Sequence, residues 1–574
     1  MFSSNIFIFV GFDMNSSIKK TIREKLLFIY GNNSNFDIDD TMNKIEAIIH
    51  KYRDINVPSG FVDEKDAILI TYSDNLIREN EYPLATLKKF MKNYVGDRIT
   101  SIHLLAMFPY SSDDGFSVID YRSIDPKLGN WEDIRKLSRD YKLMYDAVIN
   151  HVSKECQWFQ EYLKGNRKYE GYFLDCDPGK DYSEVVRPRT TPLLTRFSTI
   201  NGEKHIWTTF SDDQIDLNFG EPEVLLEIID LLLFYAQNGA KYIRLDAVGF
   251  LWKELGTSCI HHPKTHEIVK LIRLVLNSVA GDVIIITETN VPHEENISYF
   301  GNNDEAHMVY QFPLAPLVLY SFITESAVKL SDWASTIDAS CGETTYLNFL
   351  ASHDGIGLRP VEGILTEEER KMMIDTVLAR GGRISYKLNP DNSRTPYEMN
   401  INYQDALSPL SDSETNRLMR FMGAETILMS LVGVPGIYIH SLLGSRNYYK
   451  GVEESGINRR INREQLNYET LINELDSNTH RARVLNEHLR RLEIRRNCTA
   501  FSPKARQKIL RFDDRVFAVL RNNETTGERV LALINVSSDT VRINTNYSGI
   551  DLLTGIEVSG NVEIKPFDCM WIKC

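Results

Sequence analysis

Residues 241–250 read KYIRLDAVGF, and this stretch decides the fold. Ile243 and Leu245 face one way, and Tyr242, Arg244 and Asp246 the other, because successive side chains alternate across a β-strand. An Arg and an Asp two residues apart on one face of an apolar strand cost free energy unless they serve each other or a ligand. Alone, the pattern reads as a structural ion pair. Two further stretches end the same way: VIIITE puts Glu288 directly after an apolar run, and TYLNFLASHD puts Asp354 beside His353. Three carboxyls at three successive strand ends, spaced by roughly 40 and 65 residues, suit the C-terminal face of a (β/α)8 barrel.

The neighbouring sequence supplies the elements such a barrel needs. From residue 63, AILITY, PLATLKKFMKNY, ITSIHLLAMF, NWEDIRKLSRDY and KLMYDAVINH alternate short apolar strands with amphipathic helices. That order implies a parallel sheet with right-handed crossovers. The predicted fold class is α/β: a (β/α)8 TIM barrel with an inserted domain after strand 3, a loop insertion after strand 7 and a C-terminal antiparallel β domain. Residues 1–62 are a helical N-terminal extension and 63–151 the first part of the barrel. Residues 152–220, rich in aromatics, Pro, Gly and charge, break the rhythm and form the inserted domain. Residues 221–354 resume the barrel, 355–409 form the loop insertion, 410–499 complete the barrel, and 500–574 turn to short alternating strands. Long loops inside a compact barrel usually carry function.

Composition narrows the class. Of 574 residues, 43% are hydrophobic and 25% charged, with a formal net charge of −14, which argues against nucleic acid or an anionic membrane as the main partner. The seven cysteines (156, 176, 259, 341, 498, 569, 574) are scattered and never form C-x-x-C, which fits reduced thiols in a cytoplasm. IFIFVGF at 6–12 lacks the flanks of a signal peptide, and no apolar run approaches the ~20 residues of a membrane helix. No phosphate-cradling Gly loop, His-rich metal cluster or nucleotide fingerprint is evident, so neither cofactor nor metal is expected. The sequence leaves monomer and homodimer open.

The motifs DAVINH, IRLDAVGF, VIIITETN and FLASHDGIG resemble, in order and spacing, the four sequence regions of the α-amylase superfamily of glycoside hydrolases. SSDDGFSVIDY, VVRPRTTPLLTRF, IWTTFSDDQIDLN, KELGTSC and YIHSLLGSRN resemble its sucrose phosphorylase branch. TETNVPHEEN, DEAHMVYQF and the N-terminal extension look most like the glucosylglycerate phosphorylase group within that branch. The resemblance implies Asp246 as nucleophile, Glu288 as general acid and then base, and Asp354 as stabiliser of charge on the sugar ring. A retaining mechanism needs two carboxyls about 5 Å apart, which adjacent strand ends can supply. Arg244 would hold the nucleophile ionised, since a nearby cation lowers a carboxyl pKa. The resemblance further implies that Asp113, His151 and His353 bond the glucose hydroxyls, that Phe210 stacks on the ring, and that Gln214 lines the same subsite. Arg463 would belong to that subsite, paired with Asp113.

A phosphorylase must favour phosphate over water at ~55 M, so it needs donors that hold the anion in attack geometry. RPR offers Arg187 and Arg189; SYKLNPDNSRTPYEMN offers Lys387, Arg394 and Tyr397. By resemblance, Arg189 and Tyr397 fall on phosphate-binding positions. Thr395 and Glu398 stand where sucrose phosphorylases carry a fructose-binding Asp and a Gln. With Arg394 adjacent, that exchange suits an acceptor bearing its own negative charge, D-glycerate or fructose 6-phosphate. The partners expected are thus a small glucoside and inorganic phosphate. The alternatives are a sucrose 6′-phosphate, sucrose or glucosylglycerol phosphorylase with the same mechanism, a hydrolase or transglucosylase using the same acids, and a catalytically silent barrel that binds a sugar or a partner protein.

Overall fold

The computed structural model describes residues 15–34, 36–105, 107–337, 342–389 and 393–574. The apolar run at 6–12, Cys341 and the 390–392 tip of the SYKLNPDNSRTPYEMN segment lie outside the described residues. Eight strands form a closed parallel barrel: β1 (Ile68–Tyr72), β2 (Ser101–Leu105), β3 (Lys142–Ala147), β4 (Ala240–Leu245), β5 (Ile284–Thr287), β6 (Met308–Tyr310), β7 (Thr345–Phe349) and β8 (Val434–Tyr438). Each pairs with the next in sequence, and β8 closes on β1. All six residues of β4 are buried, as a strand enclosed by helices on one side and barrel interior on the other requires.

One expectation changes here. The three carboxyls follow β4, β5 and β7, not three successive strands, because β6 intervenes. Its ladder holds only Met308, Val309 and Tyr310. Three residues are too few to display an alternation.

The extension lies against the barrel's outer helices. Helices Ser16–Tyr30 and Ile38–Lys51 pack on Pro263–Val279 and Pro222–Gln237. Lys25–Glu267 at 3.0 Å and Lys51–Asp230 at 2.7 Å flank the contact, and the Tyr30 hydroxyl donates to the Phe219 carbonyl at 3.0 Å. Lys241, at the start of β4, donates to the carbonyls of Pro58 and Gly60 at 2.7 Å, fixing the linker beneath the barrel.

Between β3 and β4, strand His151–Ser153 pairs antiparallel with Gln214–Asp216, and Leu194–Thr199 forms a hairpin with Gly202–Trp207. After β7, Arg394–Asn400 lies between Ile356–Gly357 and Arg383–Leu388 in a small sheet. Six antiparallel strands from Arg506 to Lys573 make the C-terminal sheet. Its Trp571 is fully buried and donates from Nε1 to Ser430 Oγ at 2.8 Å, at the end of the helix Glu414–Ser430 that precedes β8. Truncating a buried Trp costs about 3–5 kcal/mol, so this side chain seals the sheet to the barrel. No described helix is long and apolar enough to cross a membrane.

Candidate active site

Asp246, Glu288 and Asp354 line one cavity at the C-terminal ends of the strands, about 1090 Å³ including its open mouth. Asp246 is the first residue after β4 and Glu288 the first after β5. Ala247 then adopts a left-handed backbone (φ 48°), a conformation that costs a residue with a side chain roughly 1–2 kcal/mol. Its N–H donates to Glu288 Oε2 at 3.2 Å, so the turn that ends β4 orients the carboxyl that follows β5.

Arg244 is the hub. Its Nη1 reaches Asp246 Oδ1 at 2.7 Å and Asp146 Oδ1, on β3, at 2.6 Å, and its Nη2 lies 3.9 Å from Glu288 Oε2. Asp146 Oδ2 in turn lies 3.1 Å from His103 Nε2 on β2. The expected ion pair is present and Arg244 draws the Asp246 pKa down, but it does not win. Burial pushes Asp246 upward, Arg244 pulls against it, and nearby Asp146 adds its own repulsion, so the net direction is up. Glu288 is pushed up to about 7, chiefly by burial, with Asp246 and Asp354 adding to the rise against Arg244. Asp354 goes the other way. Burial acts to raise it, but Arg459 (2.6 Å), His353 and Arg463 (3.9 Å) hold it well below the usual carboxylate range. One carboxyl retains its proton near neutrality while another stays ionised, the separation that acid–base work on a sugar requires.

Around the acids, His151 Nε2 lies 2.9 Å from the Phe116 carbonyl and 3.2 Å from Gln214 Nε2. Gln214 Nε2 donates to Asp113 Oδ2 at 3.2 Å. The Phe210 ring sits 5.2 Å from His151 and 5.5 Å from Phe250. His353 stacks on Phe116 at 4.7 Å, burial pushes its pKa down to about 3, and its Nδ1 has no partner. Asp113, His151, Phe210, Gln214 and His353 all line the cavity.

Arg463 does not pair with Asp113. Its Nη1 meets Asp114 Oδ2 at 2.7 Å and its Nε donates to the His353 carbonyl at 2.7 Å, which places it behind Asp354 rather than on the cavity wall. Asp113 and Asp114 are both left-handed (φ 53° and 47°). This double twist leaves Asp113 at the catalytic cavity and Asp114 against Arg463 and Arg460. From the same stretch of chain it is Arg459, not singled out from the sequence, that lines the cavity. Its Nε and Nη2 grip Glu398 at 3.1 and 2.9 Å while Nη1 holds Asp354. The available signal was its place beside Arg460 and Arg463 in the arginine-rich stretch RRINRE at 459–464.

The cavity wall also carries cations. Arg187, Arg189 and Lys387 line it, and none of the three is paired with a carboxylate of the described residues. Arg187 Nη2 is buried without a partner, and burial lowers the pKa of its guanidinium. The Tyr397 hydroxyl accepts from Asn290 Nδ2 at 3.2 Å. Glu398 is buried, accepts the Gly355 N–H at 2.8 Å and is neutralised by Arg459. Arg394 is not brought to this site: it is exposed at the start of its strand, opposite Leu388, and does not line the cavity. Thr395 is likewise off the wall, its Oγ1 accepting from Asn389 Nδ2 at 2.7 Å. Among the described residues, no group of three or more His, Cys, Asp or Glu side chains is set to hold a metal.

The α-amylase catalytic-domain model matches residues 94–376. The chain is 49% identical to the glucosylglycerate phosphorylase of Spirochaeta thermophila over 90% of its own length and 89% of that protein. It is 45% identical to the glucosylglycerate phosphorylase of Allomeiothermus silvanus over 97% and 99% of the two chains. Among solved structures, the sucrose 6F-phosphate phosphorylase of Thermoanaerobacter thermosaccharolyticum superposes with a TM-score of 0.72 at 25% identity, over 87% of this chain and 98% of that one. With three carboxyls at barrel strand ends and relatives that span nearly its whole length, the chain belongs to the α-amylase family, among its glycoside phosphorylases.

Proposed function

We propose that the protein catalyses the reversible phosphorolysis of 2-O-α-D-glucosyl-D-glycerate to α-D-glucose 1-phosphate and D-glycerate, with retention at the anomeric carbon. Asp246 attacks that carbon as the bond to the glycerate oxygen breaks, and the departing oxygen takes the proton of Glu288. A covalent β-glucosyl-enzyme results. Glu288, now ionised, accepts a proton from the incoming phosphate as its oxygen displaces Asp246. Asp354, held ionised by Arg459, stabilises the positive charge that develops on the ring. Asp113, His151, Phe210, Gln214 and His353 hold the glucose, with Arg244 and Arg463 fixing the groups around it.

The observation that carries this reading is one cavity lined both by Glu288, whose carboxyl is pushed up to about 7, and by Arg187, Arg189 and Lys387, none of them paired with a carboxylate of the described residues. Uncompensated cations beside a reacting centre favour an anion over water as glucosyl acceptor. Tyr397 adds a hydroxyl to the same wall. Both phosphate and D-glycerate are anions, so one cationic surface serves both directions of the reaction. The relatives' activity points to D-glycerate in particular.

The test is phosphate release from α-D-glucose 1-phosphate with D-glycerate, fructose, fructose 6-phosphate or glycerol in parallel. Fast release with D-glycerate alone is the expected result. Release with fructose 6-phosphate alone would overturn the acceptor and keep the mechanism. Equal slow release in every tube, including one with no acceptor, would make water the acceptor and sink the phosphorylase reading.

A further inference from the structure

Among the buried charges that the proposed steps do not use, one stands directly behind the proposed glucose subsite. Lys253, seven residues beyond Asp246, has a side chain only 3% exposed. Its Nζ lies 2.9 Å from Asn150 Oδ1, 2.9 Å from Asp216 Oδ2 and 3.3 Å from the Leu217 carbonyl. An ammonium has three N–H bonds, and here three oxygens meet them. Asn150 and Asp216 are themselves fully buried.

Each of the oxygens belongs to a segment that presents a glucose-facing side chain. Asn150 precedes His151, and its Nδ2 lies 3.3 Å from His151 Nδ1. Asp216 sits opposite His151 in the short ladder that also carries Gln214. Asp216 also accepts from the Thr209 N–H and the Thr209 hydroxyl, both at 2.7 Å, and so fixes the residue preceding Phe210. Lys253 itself comes from the loop that begins at the nucleophile. Three stretches of chain, from the end of β3, from the inserted region and from the end of β4, therefore meet at one ammonium.

We infer that Lys253 is a positioning residue for the glucose subsite, an internal cation that locks His151, Phe210 and Gln214 in register with Asp246. Removing one partner of a buried pair leaves the other charge uncompensated, so a single replacement of Lys253 confounds folding with positioning. The double variant Lys253→Met with Asp216→Asn removes both charges and keeps the volume.

The inference rests on the glucose subsite of the proposed function, and the assay separates the two. The wild type is assayed first, with α-D-glucose 1-phosphate and D-glycerate. Wild-type release without any acceptor would sink the functional reading, whereas an active wild type and an unchanged variant would sink this one. For the folded double variant the expected result is at least a tenfold loss in kcat/KM for α-D-glucose 1-phosphate, with a raised KM for it. The KM for D-glycerate stays within twofold. Equal rises in both KM values would mean general loosening and would overturn the inference. If the double variant does not fold, Lys253→Gln, which keeps two N–H donors, is held to the same criteria.

Discussion

Two sets of charged groups in and around the cavity are built on opposite principles. In the set proposed to serve glucose, charged groups are buried and partnered: Arg244 with Asp246 and Asp146, Arg459 with Asp354 and Glu398, Arg463 with Asp114, Lys253 with Asp216. Arg244, Asp146 and Asp246 stand on or directly after barrel strands, and the others stand on the loops, turns and short strands that follow them. In the set proposed to serve the acceptor, Arg187, Arg189 and Lys387 come from the inserted regions and pair with no carboxylate of the described residues. A buried ion pair has its interaction energy committed before substrate arrives, and serves geometry. A free cation on a cavity wall has it available for an incoming anion. Breaking the first set should therefore abolish chemistry, and breaking the second should change which anion is bound and how tightly.

The largest effect is expected at Asp246. Asp246→Asn removes the nucleophile and should lower kcat by at least ~10⁴-fold, about 5 kcal/mol in the barrier, measured as phosphate release with D-glycerate. Glu288→Gln should cost about 10³-fold and erase one limb of the pH profile. In the wild type the group titrates near 7, so steps that need its proton slow as pH rises through that value. Stability has a related sign. A carboxyl raised from 4.5 to about 7 by folding keeps its proton longer in the folded state than in the unfolded one. The protein therefore loses stability as pH climbs through that window, by at most ~3 kcal/mol. Glu288→Gln should raise the Tm at pH 8 and leave it unchanged at pH 4. Next in size is Arg189→Ala, which should raise the KM for phosphate roughly 10- to 100-fold, the ~1.5–3 kcal/mol of a hydrogen bond to a charged group. Its effect on a neutral glucoside's binding should be small, and a matching loss in glucose affinity would break the distinction between the two sets.

Why the glucose set was legible in the sequence and the acceptor set only in part follows from how each is made. Asp246 and Glu288 directly follow apolar strands, and a strand's ladder dictates where the next residue points. Asp354 follows its strand by only a few residues. The barrel's order was readable for the same reason, except at β6, whose three residues carry no periodicity. Asp113 and Asp114 are the same residue type side by side. Only the two left-handed backbones decide that Asp114, not its neighbour, meets Arg463. Arg459 hid in a motif with two other arginines, distinguished from them only by the turn Asn458–Asn462. The net pKa direction of Asp246 was out of reach, because it is a balance between burial and charges on neighbouring strands.

The smallest expected effect separates two cations of one hairpin. Lys387 and Arg394 lie on paired strands, Lys387 opposite Thr395 and Arg394 opposite Leu388. From the sequence both were candidates for holding the acceptor. Neighbouring residues on a strand face opposite sides of the sheet, so a difference of one position decides whether a cation meets the cavity or water. Lys387 lines the cavity and Arg394 is exposed. Arg394→Ala should therefore change the KM for D-glycerate and for phosphate by less than twofold, since an exposed charge interacts through screened, high-dielectric solvent. Lys387→Met should raise both by several-fold, and the rise should shrink at high salt, where the wild-type attraction is itself weakened. If Arg394→Ala proved the more damaging of the two, the acceptor's carboxylate would lie outside the cavity wall defined here, and the cationic surface assigned to the anions would have to be redrawn around the outer face of the hairpin.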